Sequence, residues 1–422
     1  MRHVPQTTIR KHSSGSLKHH FMPGQTTENL TRTREDRGPM RVLTICPYPP
    51  QQDGIGYHAS ELIAALPSDI ERHVLTTGSA ALVEEPTIET IAIHRLRERN
   101  PVLTLRAWGV VRRLNPDVIH MHFAVSLLGT RYLAIFVAGL MARRRLGVPV
   151  VLTDHEVVRD VDTLGPFGTL LHGRLATLVD VVLVYSNEAK EVLTDRCGVD
   201  AAKVIVVPHG MTPRLTTHKL LGPGRALFCT FGFIQRDKGI DIFLDAVALL
   251  RADPSCPPFE VVVAGSVRAR RGIFRIFGRA DRKYAQQIDE TIQNDLADIV
   301  SRCPFLPESD LYHMLHRCRA FVAPYRRTTQ SGAVNRAAGA GSAIVASDLP
   351  GLRASLGDAA LWFEVGNSQS LASAMRRLLI DPSETDRLRA ATRNALASQS
   401  MEATAAIQAD LWRLLVKEAT LT

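Results

Sequence analysis

Two successive runs of alternating strand and helix patterns, parted by a Pro/Gly-rich break, constrain this chain more than any other feature. The first run opens with residues 41–46 (RVLTIC), an apolar, β-branched stretch of strand length. Residues 56–66 then space their apolar side chains for one helix face. Residues 73–77 read as a strand, 103–114 as a helix and 117–122 (DVIHMH) as a strand. An apolar helix over 127–146 leads to the strand 149–153, and strands at 181–185 and 204–207 complete the run around one more helix. The second run places strands at 225–231, 259–264, 320–324 and 342–347. Its helices fall at 239–250, 284–296, 310–317, 331–341, 368–379, 384–398 and 401–418. Such alternation needs right-handed crossovers and a parallel sheet covered on both faces. The fold class is therefore α/β, with two Rossmann-like doubly wound domains facing a central cleft, because ligands bind beyond the carboxyl ends of such strands.

Domain limits follow. Residues 1–39 carry seven Lys/Arg, three Asp/Glu and four histidines with almost no large apolar side chains, and read as a disordered basic tail. Met40 precedes the first strand, where an alternative translation start is expected. Residues 40–212 form the N-terminal domain and 213–390 the C-terminal domain, with residues 211–224 (Pro213, Gly222, Pro223, Gly224) as the linker. The 422 residues suit two domains. Six scattered cysteines without CxxC spacing argue against structural zinc and for a reducing compartment. The longest uncharged apolar run, 132–142, is far short of the roughly 20 residues a spanning helix needs.

Several motifs carry chemistry. Gly54-Ile55-Gly56-Tyr57-His58-Ala59 fits GxGxxA. Residues 47–53 separate it from its strand, and the next strand ends in Leu75-Thr76-Thr77-Gly78 without a ribose-binding acid, both against a dinucleotide fingerprint. A glycine loop admitting a ligand to the helix start, or a plain tight turn, remains. His155 follows its strand by two residues at the carboxyl edge, where it can donate to a sugar hydroxyl or to developing charge; a surface-loop histidine is the bland alternative. His120 and His122 share one strand face. Without a third ligand at supportive spacing, one pocket-lining and one structural histidine fit better than a metal. Asp160-Val161-Asp162 has the DxD form, but lies past its strand in an expected loop and is set aside.

Residues 232–239 (GFIQRDKG) follow the first strand of the second half and open a helix, with Arg236 and Lys238 alongside. Helix dipole, free N–H groups and cations together favour an anion, above all a diphosphate. Thr328-Thr329-Gln330-Ser331-Gly332 forms a second such helix start, with Ser331 as N-cap, Gly332 open to close approach, and Arg326 and Arg327 just before it. Two such sites fit a nucleotide-sugar diphosphate. Arg268, Arg270, Arg271, Arg275, Arg279, Arg282 and Lys283 interleave with Ile273, Phe274, Ile276 and Phe277. That pattern suits an anionic membrane surface or a basic loop with no partner; no nucleic-acid motif accompanies it.

Taken in order, these residues resemble the GT-B glycosyltransferases of the retaining family 4 (group 1) type, from residue 41 to the C-terminus. DVIHMH resembles the family's Asp-x-x-His-x-His strand, and Thr153-Asp154-His155 its Thr-x-His segment, whose histidine lies near the transferred sugar. Tyr185-Ser186-Asn187-Glu188 resembles the family's serine segment, and Pro208-His209-Gly210 its Pro-(His/Asn)-Gly before the linker. Residues 232–239 resemble the donor-phosphate loop, with Lys238 in the lysine position. The resemblance implies metal-independent transfer of a sugar, with retention, from a nucleoside-diphosphate sugar to a glycan or lipid-linked acceptor, with no cofactor besides the donor substrate. It implies polysaccharide biosynthesis by a cytoplasmic protein, for which the basic segment at 268–283 leaves a peripheral place on the inner face of the membrane open. Lys238 and Arg236 would stabilise the leaving diphosphate and His155 would stand near the sugar. Gly54, Gly56, Gly232, Gly239, Gln330, Ser331, Gly332 and Arg336 would line the donor site, and His120 and His122 the acceptor side. The final helices, 391–422, would pack back on the N-terminal domain. Two departures stand out. Phe233 occupies the position where arginine usually follows the first glycine, leaving Arg236 as the substitute. Aligned on Gly341, Thr328 and Arg336 replace a usual pair of glutamates, the second of which holds the donor ribose, although Gln330-Ser331-Gly332 resembles a form found in part of the family. Sugar-nucleotide epimerases and non-catalytic partner subunits of the same fold are the alternatives.

Overall fold

The strand Met40–Ile45 (β1) is buried on both faces from Val42 to Ile45, and the first half is built outward from it. In the computed structural model, residues 38–51, 53–78, 90–97, 102–128, 130–214, 226–267, 277–328 and 330–421 are described. The first half continues α1 (Gly54–Ala64), β2 (Ile70–Thr77), β3 (Ile91–Leu96), α2 (Val102–Leu114), β4 (Val118–Phe123) and α3 (Thr130–Leu146). It ends β5 (Val150–Asp154), α4 (Val157–Leu164), α5 (Pro166–Thr177), β6 (Val181–Val184), α6 (Asn187–Glu191) and β7 (Val204–Val206). These seven strands form one parallel sheet in the order β3-β2-β1-β4-β5-β6-β7.

The second half runs β8 (Ala226–Phe231), α7 (Ile240–Ala252), β9 (Phe259–Ala264), α8 (Phe277–Asp295), β10 (Val300–Cys303), α9 (Glu308–Arg317) and β11 (Ala320–Ala323). It continues α10 (Gly332–Gly339), β12 (Ile344–Ser347), α11 (Pro350–Leu356), β13 (Ala360–Phe363), α12 (Ser368–Ile380) and α13 (Pro382–Ser398), and the chain closes with α14 (Met401–Ala419). Its six-stranded parallel sheet has the order β10-β9-β8-β11-β12-β13. Two doubly wound parallel sheets are thus present, each with a switch point next to its first strand.

Edge strands account for most departures from the sequence reading. β3, β10 and β13, which the hydrophobic pattern does not reveal, each close one end of a sheet and carry half-exposed side chains. Short, partly polar strands are what a solvent-facing edge selects. α1 begins at Gly54 rather than Gly56, because Asp53 caps it and accepts from the N–H of Ile55 at 2.9 Å and of Gly56 at 3.2 Å. The helix expected over 127–146 is split into a 3-10 turn at Val125–Leu127 and α3. Asp160 and Asp162 lie on α4, not in a loop. α8 starts at Phe277, so Arg279, Arg282 and Lys283 are exposed helix residues, whereas Arg268, Arg270, Arg271 and Arg275 lie outside the described residues, as do 1–37 and 215–225. No helix among the described residues is long and apolar enough to cross a membrane.

The chain returns to its first half at the end. Ser400 bridges Met211, the Met401 N–H donates to the Met211 carbonyl at 3.0 Å, and α14 then lies across the first sheet. Met401, Ala405, Ala409 and Trp412 bury their side chains against Val42, Leu62, Val118 and Val151. α13, by contrast, packs on the second half through Leu388 and Leu396. Trp412 is fully buried, so Trp412→Ala should cost about 3–5 kcal/mol of stability in urea unfolding. A loss under about 1 kcal/mol, within the range of neutral surface changes, would mean that α14 does not hold this face together.

Candidate active site

The carboxyl ends of both sheets open on one cleft, as parallel strands require. Residues 39–422 form one compact unit, and side chains of both halves line the cleft.

The first half contributes hydrogen-bonding groups. β4 and β5 set His122 opposite Thr153 in register. His120 bonds the Thr153 hydroxyl at 2.7 Å beside the Trp412 ring, and His122 Nδ1 bonds His155 Nε2 at 2.9 Å. His58 Nε2 on α1 lies 2.8 Å from the Tyr185 hydroxyl, and its ring sits 4.0 Å from that of His209. Burial pushes His120 down to about 3 and His209 to about 4. Burial, reinforced by neighbouring imidazoles, drives His58, His122 and His155 well below the ordinary histidine value. All five rings are therefore neutral near pH 7 and act as donors and acceptors, not as cations. Next to His155, Asp154 accepts from His172 Nδ1 at 2.6 Å, and Asp160 accepts from the Val125 N–H at 2.9 Å. Burial alone would lower His172, but Asp154 raises it; burial lifts Asp160 to about 6. This buried pair anchors the turn that carries His155.

The second half contributes charge and backbone N–H groups. After β8 the chain turns through Gly232 and a 3-10 turn, Arg236–Lys238. Gly239 closes that turn in the left-handed region at φ 60°, where a Cβ would stand 1.8 Å from the Pro324 carbonyl oxygen. Gly265, at φ 137°, makes the same allowance for the Gly232 carbonyl. Only glycine lets these loops approach so closely. Lys238 faces the cleft with Nζ 3.8 Å above the Tyr325 ring, and the Tyr325 hydroxyl lies 3.0 Å from Ser331 Oγ. Ser331 caps α10 by accepting from the Val334 N–H, so the first-turn N–H groups of Gly332 and Ala333 have no acceptor within the helix. From the same helix, Asn335 donates to His209 Nδ1 at 2.7 Å and to the Gly210 carbonyl at 3.3 Å. Gln330 donates to the Tyr185 carbonyl at 3.1 Å. Since His209 Nδ1 accepts, its proton sits on Nε2.

The cleft brings together Gly54, Gly232, Lys238, Gln330, Ser331, Gly332 and Arg336. It does not take in every expected residue. Arg236 is exposed on the outside of its turn and is not part of the lining, because a 3-10 turn points its two cations apart. Gly56 packs on the Pro47 carbonyl, and Gly239 on Pro324. His120 is sealed beneath α14 and His122 is buried beside it, while half-buried His155 stacks on His122 and lies 5.7 Å from the His58 ring, outside the lining. Arg326 and Arg327, expected beside the second helix start, are engaged by Asp241 at 2.7 Å and Asp237 at 3.3 Å. Burial would raise Asp241, but Arg326 and Tyr284 hold it below the usual carboxylate value.

Sequence reasoning missed Tyr57, His58, Glu61, Thr212, Phe305, Tyr312 and Asn335 in the lining. Part of the signal was there: Gly54, Tyr57, His58 and Glu61 fall at i, i+3, i+4 and i+7, a polar stripe on an otherwise apolar helix. Arg336 lies 4.9 Å over the Tyr57 ring from the opposite half. Burial raises the Glu61 carboxyl, while Arg336 and Thr212 pull the other way. Phe233 and Phe305 meet edge to face at 5.2 Å and give the cleft an apolar wall. Among the described residues no group of three or more His, Cys, Asp or Glu is arranged to hold a metal ion.

Residues 52–214 match the family described as Glycosyltransferase Family 4, and residues 225–381 that described as Glycosyl transferases group 1. A D-inositol 3-phosphate glycosyltransferase of Stackebrandtia nassauensis is 26% identical over 295 residues, 65% of this chain and 62% of that relative. The chain therefore spans under two thirds of that relative's length. In structure, sucrose-phosphate synthase from Thermosynechococcus elongatus superposes with a TM-score of 0.70 at 16% identity, over 90% of this chain and all of that one. An Anabaena protein solved in complex with UDP and glucose gives 0.67 at 16% identity, over 88% and 98%.

The histidine layer carries a pH signature. Folded His120 titrates near 3 and unfolded histidine near 6.5, so below pH 6.5 only the unfolded chain takes up this proton. Its contribution is full above pH 6.5 and falls by about 1.4 kcal/mol per pH unit toward pH 3. His120→Asn should therefore show a shallower loss of stability between pH 6.5 and pH 4.5 than the parent protein, by denaturant titration. Parallel curves would refute a buried neutral His120.

Proposed function

This chain belongs to the GT-B glycosyltransferases of the family 4, group 1 type, and we propose that it moves a sugar from a nucleoside-diphosphate sugar to a hydroxyl-bearing acceptor with retention of configuration. The observation that carries this reading is the start of α10, where free N–H groups of Gly332 and Ala333 and the ammonium of Lys238 share one side of the cleft. A diphosphate fits that combination because helix dipole, N–H donors and a cation all favour negative charge. In the reaction the bond from the sugar's C1 to the diphosphate oxygen breaks, the acceptor hydroxyl's oxygen bonds to C1, and its proton passes to the departing diphosphate. Negative charge grows on the diphosphate as it leaves, and Lys238 and the α10 N–H groups stabilise it without reorganising. Tyr325 holds Lys238 and the cap Ser331 in register. The wall of Phe233 and Phe305 suits the flat face of a base.

The first half would present the acceptor. A neutral His155 can donate to or accept from a sugar hydroxyl without bringing charge into the cleft. Ties from Gln330 and Asn335 to the first half keep water from the reacting atoms, which limits donor hydrolysis. Side-chain and backbone donors neutralise the diphosphate in this scheme, so transfer is expected to proceed in the presence of a chelator. In this reading the acceptor is a glycan or a lipid-linked acceptor.

Lys238→Ala should lower the transfer rate at least tenfold, about 1.4 kcal/mol of lost charge stabilisation. Unchanged kinetics would remove Lys238 from the phosphate site. A thermal-shift screen of nucleoside diphosphates and their sugars identifies the donor, because ligand binding raises the unfolding temperature by mass action. One base family should stabilise the protein well above the others. A flat response across all of them would contradict the donor site. Donor binding with neither transfer nor hydrolysis, over a broad acceptor set, would instead indicate a non-catalytic subunit.

A further inference from the structure

Three helices of the first half carry a surface that the cleft does not use. α2, α3 and α5 cover one face of the first sheet, with their inward sides in one core. α2 packs along α3. The end of α3 meets the end of α5, where Arg143 reaches Asp180 at 2.9 Å and the Thr177 carbonyl at 3.5 Å. These three helices contain eight arginines and no aspartate or glutamate. Carboxylates of adjoining segments are already engaged: Asp160 by Arg159, Asp162 by Arg196 and Asp180 by Arg143. Arg112, Arg144, Arg145 and Arg174 are exposed and form no ion pair among the described residues.

Large apolar side chains occupy the other end of each helix. Leu105 on α2 is 69% exposed, Phe167 and Leu170 on α5 are 64% and 57% exposed, and Leu133 and Val137 on α3 also face outward. Their spacing puts each set in line with an arginine of the same helix: 105 with 112, 133 and 137 with 144, 167 and 170 with 174. Helices that join parallel strands run back against them, so all three point the same way. The apolar halves of all three thus lie toward the sheet edge that bears the cleft. The arginines lie toward the opposite edge, where Leu146 and Leu178 are also exposed.

We propose that this face docks on an anionic lipid bilayer. Large apolar side chains exposed on neighbouring helices and accompanied by cations mark an interaction site, not an ordinary solvated surface. The apolar side chains enter the headgroup and upper acyl region, while the guanidinium groups pair with lipid phosphates. A second copy using the same face would bring arginine toward arginine with no acid between them. Nucleic acid would engage the arginines but leave Leu105, Phe167 and Leu170 in water. The face needs neither donor nor acceptor, so it can fail while the transferase reading stands.

Co-sedimentation of the full chain with vesicles tests it. The protein should bind phosphatidylcholine–phosphatidylglycerol vesicles and bind pure phosphatidylcholine much more weakly, with salt reducing the difference. The combined variant Arg112→Gln, Arg144→Gln, Arg145→Gln should lower the bound-to-free ratio by about 100-fold, about fivefold for each arginine. Phe167→Ser with Leu170→Ser should remove the binding that survives high salt. Thermal unfolding of both variants should match the parent, since these side chains are exposed. Equal binding to both lipids, or variants that bind as the parent does, would overturn the proposal. So would self-association or nucleic-acid binding that these substitutions abolish in a protein that ignores vesicles.

Discussion

Asn335 and Gln330, at the start of one short helix, reach across the cleft to His209 and Tyr185, and the site depends on those hydrogen bonds. The same helix start is capped by Ser331, faces Lys238 through Tyr325 and offers the open backbone of Gly332 to a ligand. Anion binding and the joining of the two halves are thus built on one element. A diphosphate held at Gly332 and Ala333 would stiffen the helix that ties the halves together. Donor occupancy and cleft closure would then be linked by geometry, without a separate signalling device. The tie also requires a particular tautomer of His209, with Nδ1 as acceptor, and burial secures it by keeping that ring neutral.

Charge is divided unequally between the two halves. On the first half, five packed imidazoles stand as neutral groups, because burial and neighbouring imidazoles disfavour the cation. The hydrogen-bonded pair Asp154–His172 lies behind them and fixes the turn at His155. The second half supplies Lys238 and Arg336, each over an aromatic ring, Tyr325 and Tyr57. Arg336 stacks on a residue of the opposite half and faces Glu61, so its cationic identity is matched across the cleft by α1. A carboxylate is therefore present near this position, carried by the facing helix and not by α10.

The doubly wound plan was legible because strands covered on both faces, such as β1, β4 and β5, are built mainly from apolar and β-branched residues, with the few polar side chains of β4 and β5 toward their carboxyl ends. Edge strands β3, β10 and β13 were not legible, since one unpaired side relaxes that demand. Within the site, Lys238, Ser331 and Gly332 could be read from a strand-loop-helix pattern. The choice between Arg236 and Lys238 could not, because it depends on which way a 3-10 turn projects each side chain. Asn335 was hidden because its partner, His209, is 126 residues away. The stripe Tyr57, His58, Glu61 was readable in principle as polar residues at helical spacing. The acid-free composition of α2, α3 and α5 was also visible in the sequence, but only the fold shows that the three helices share one face and point the same way.

Hydrogen–deuterium exchange with and without the stabilising nucleoside diphosphate tests the central claim most directly. Slowed exchange at Gly232–Gly239 and at Gly332–Arg336, together with His209–Gly210 across the cleft, is the predicted result. Protection elsewhere, with these segments unchanged, would contradict the account.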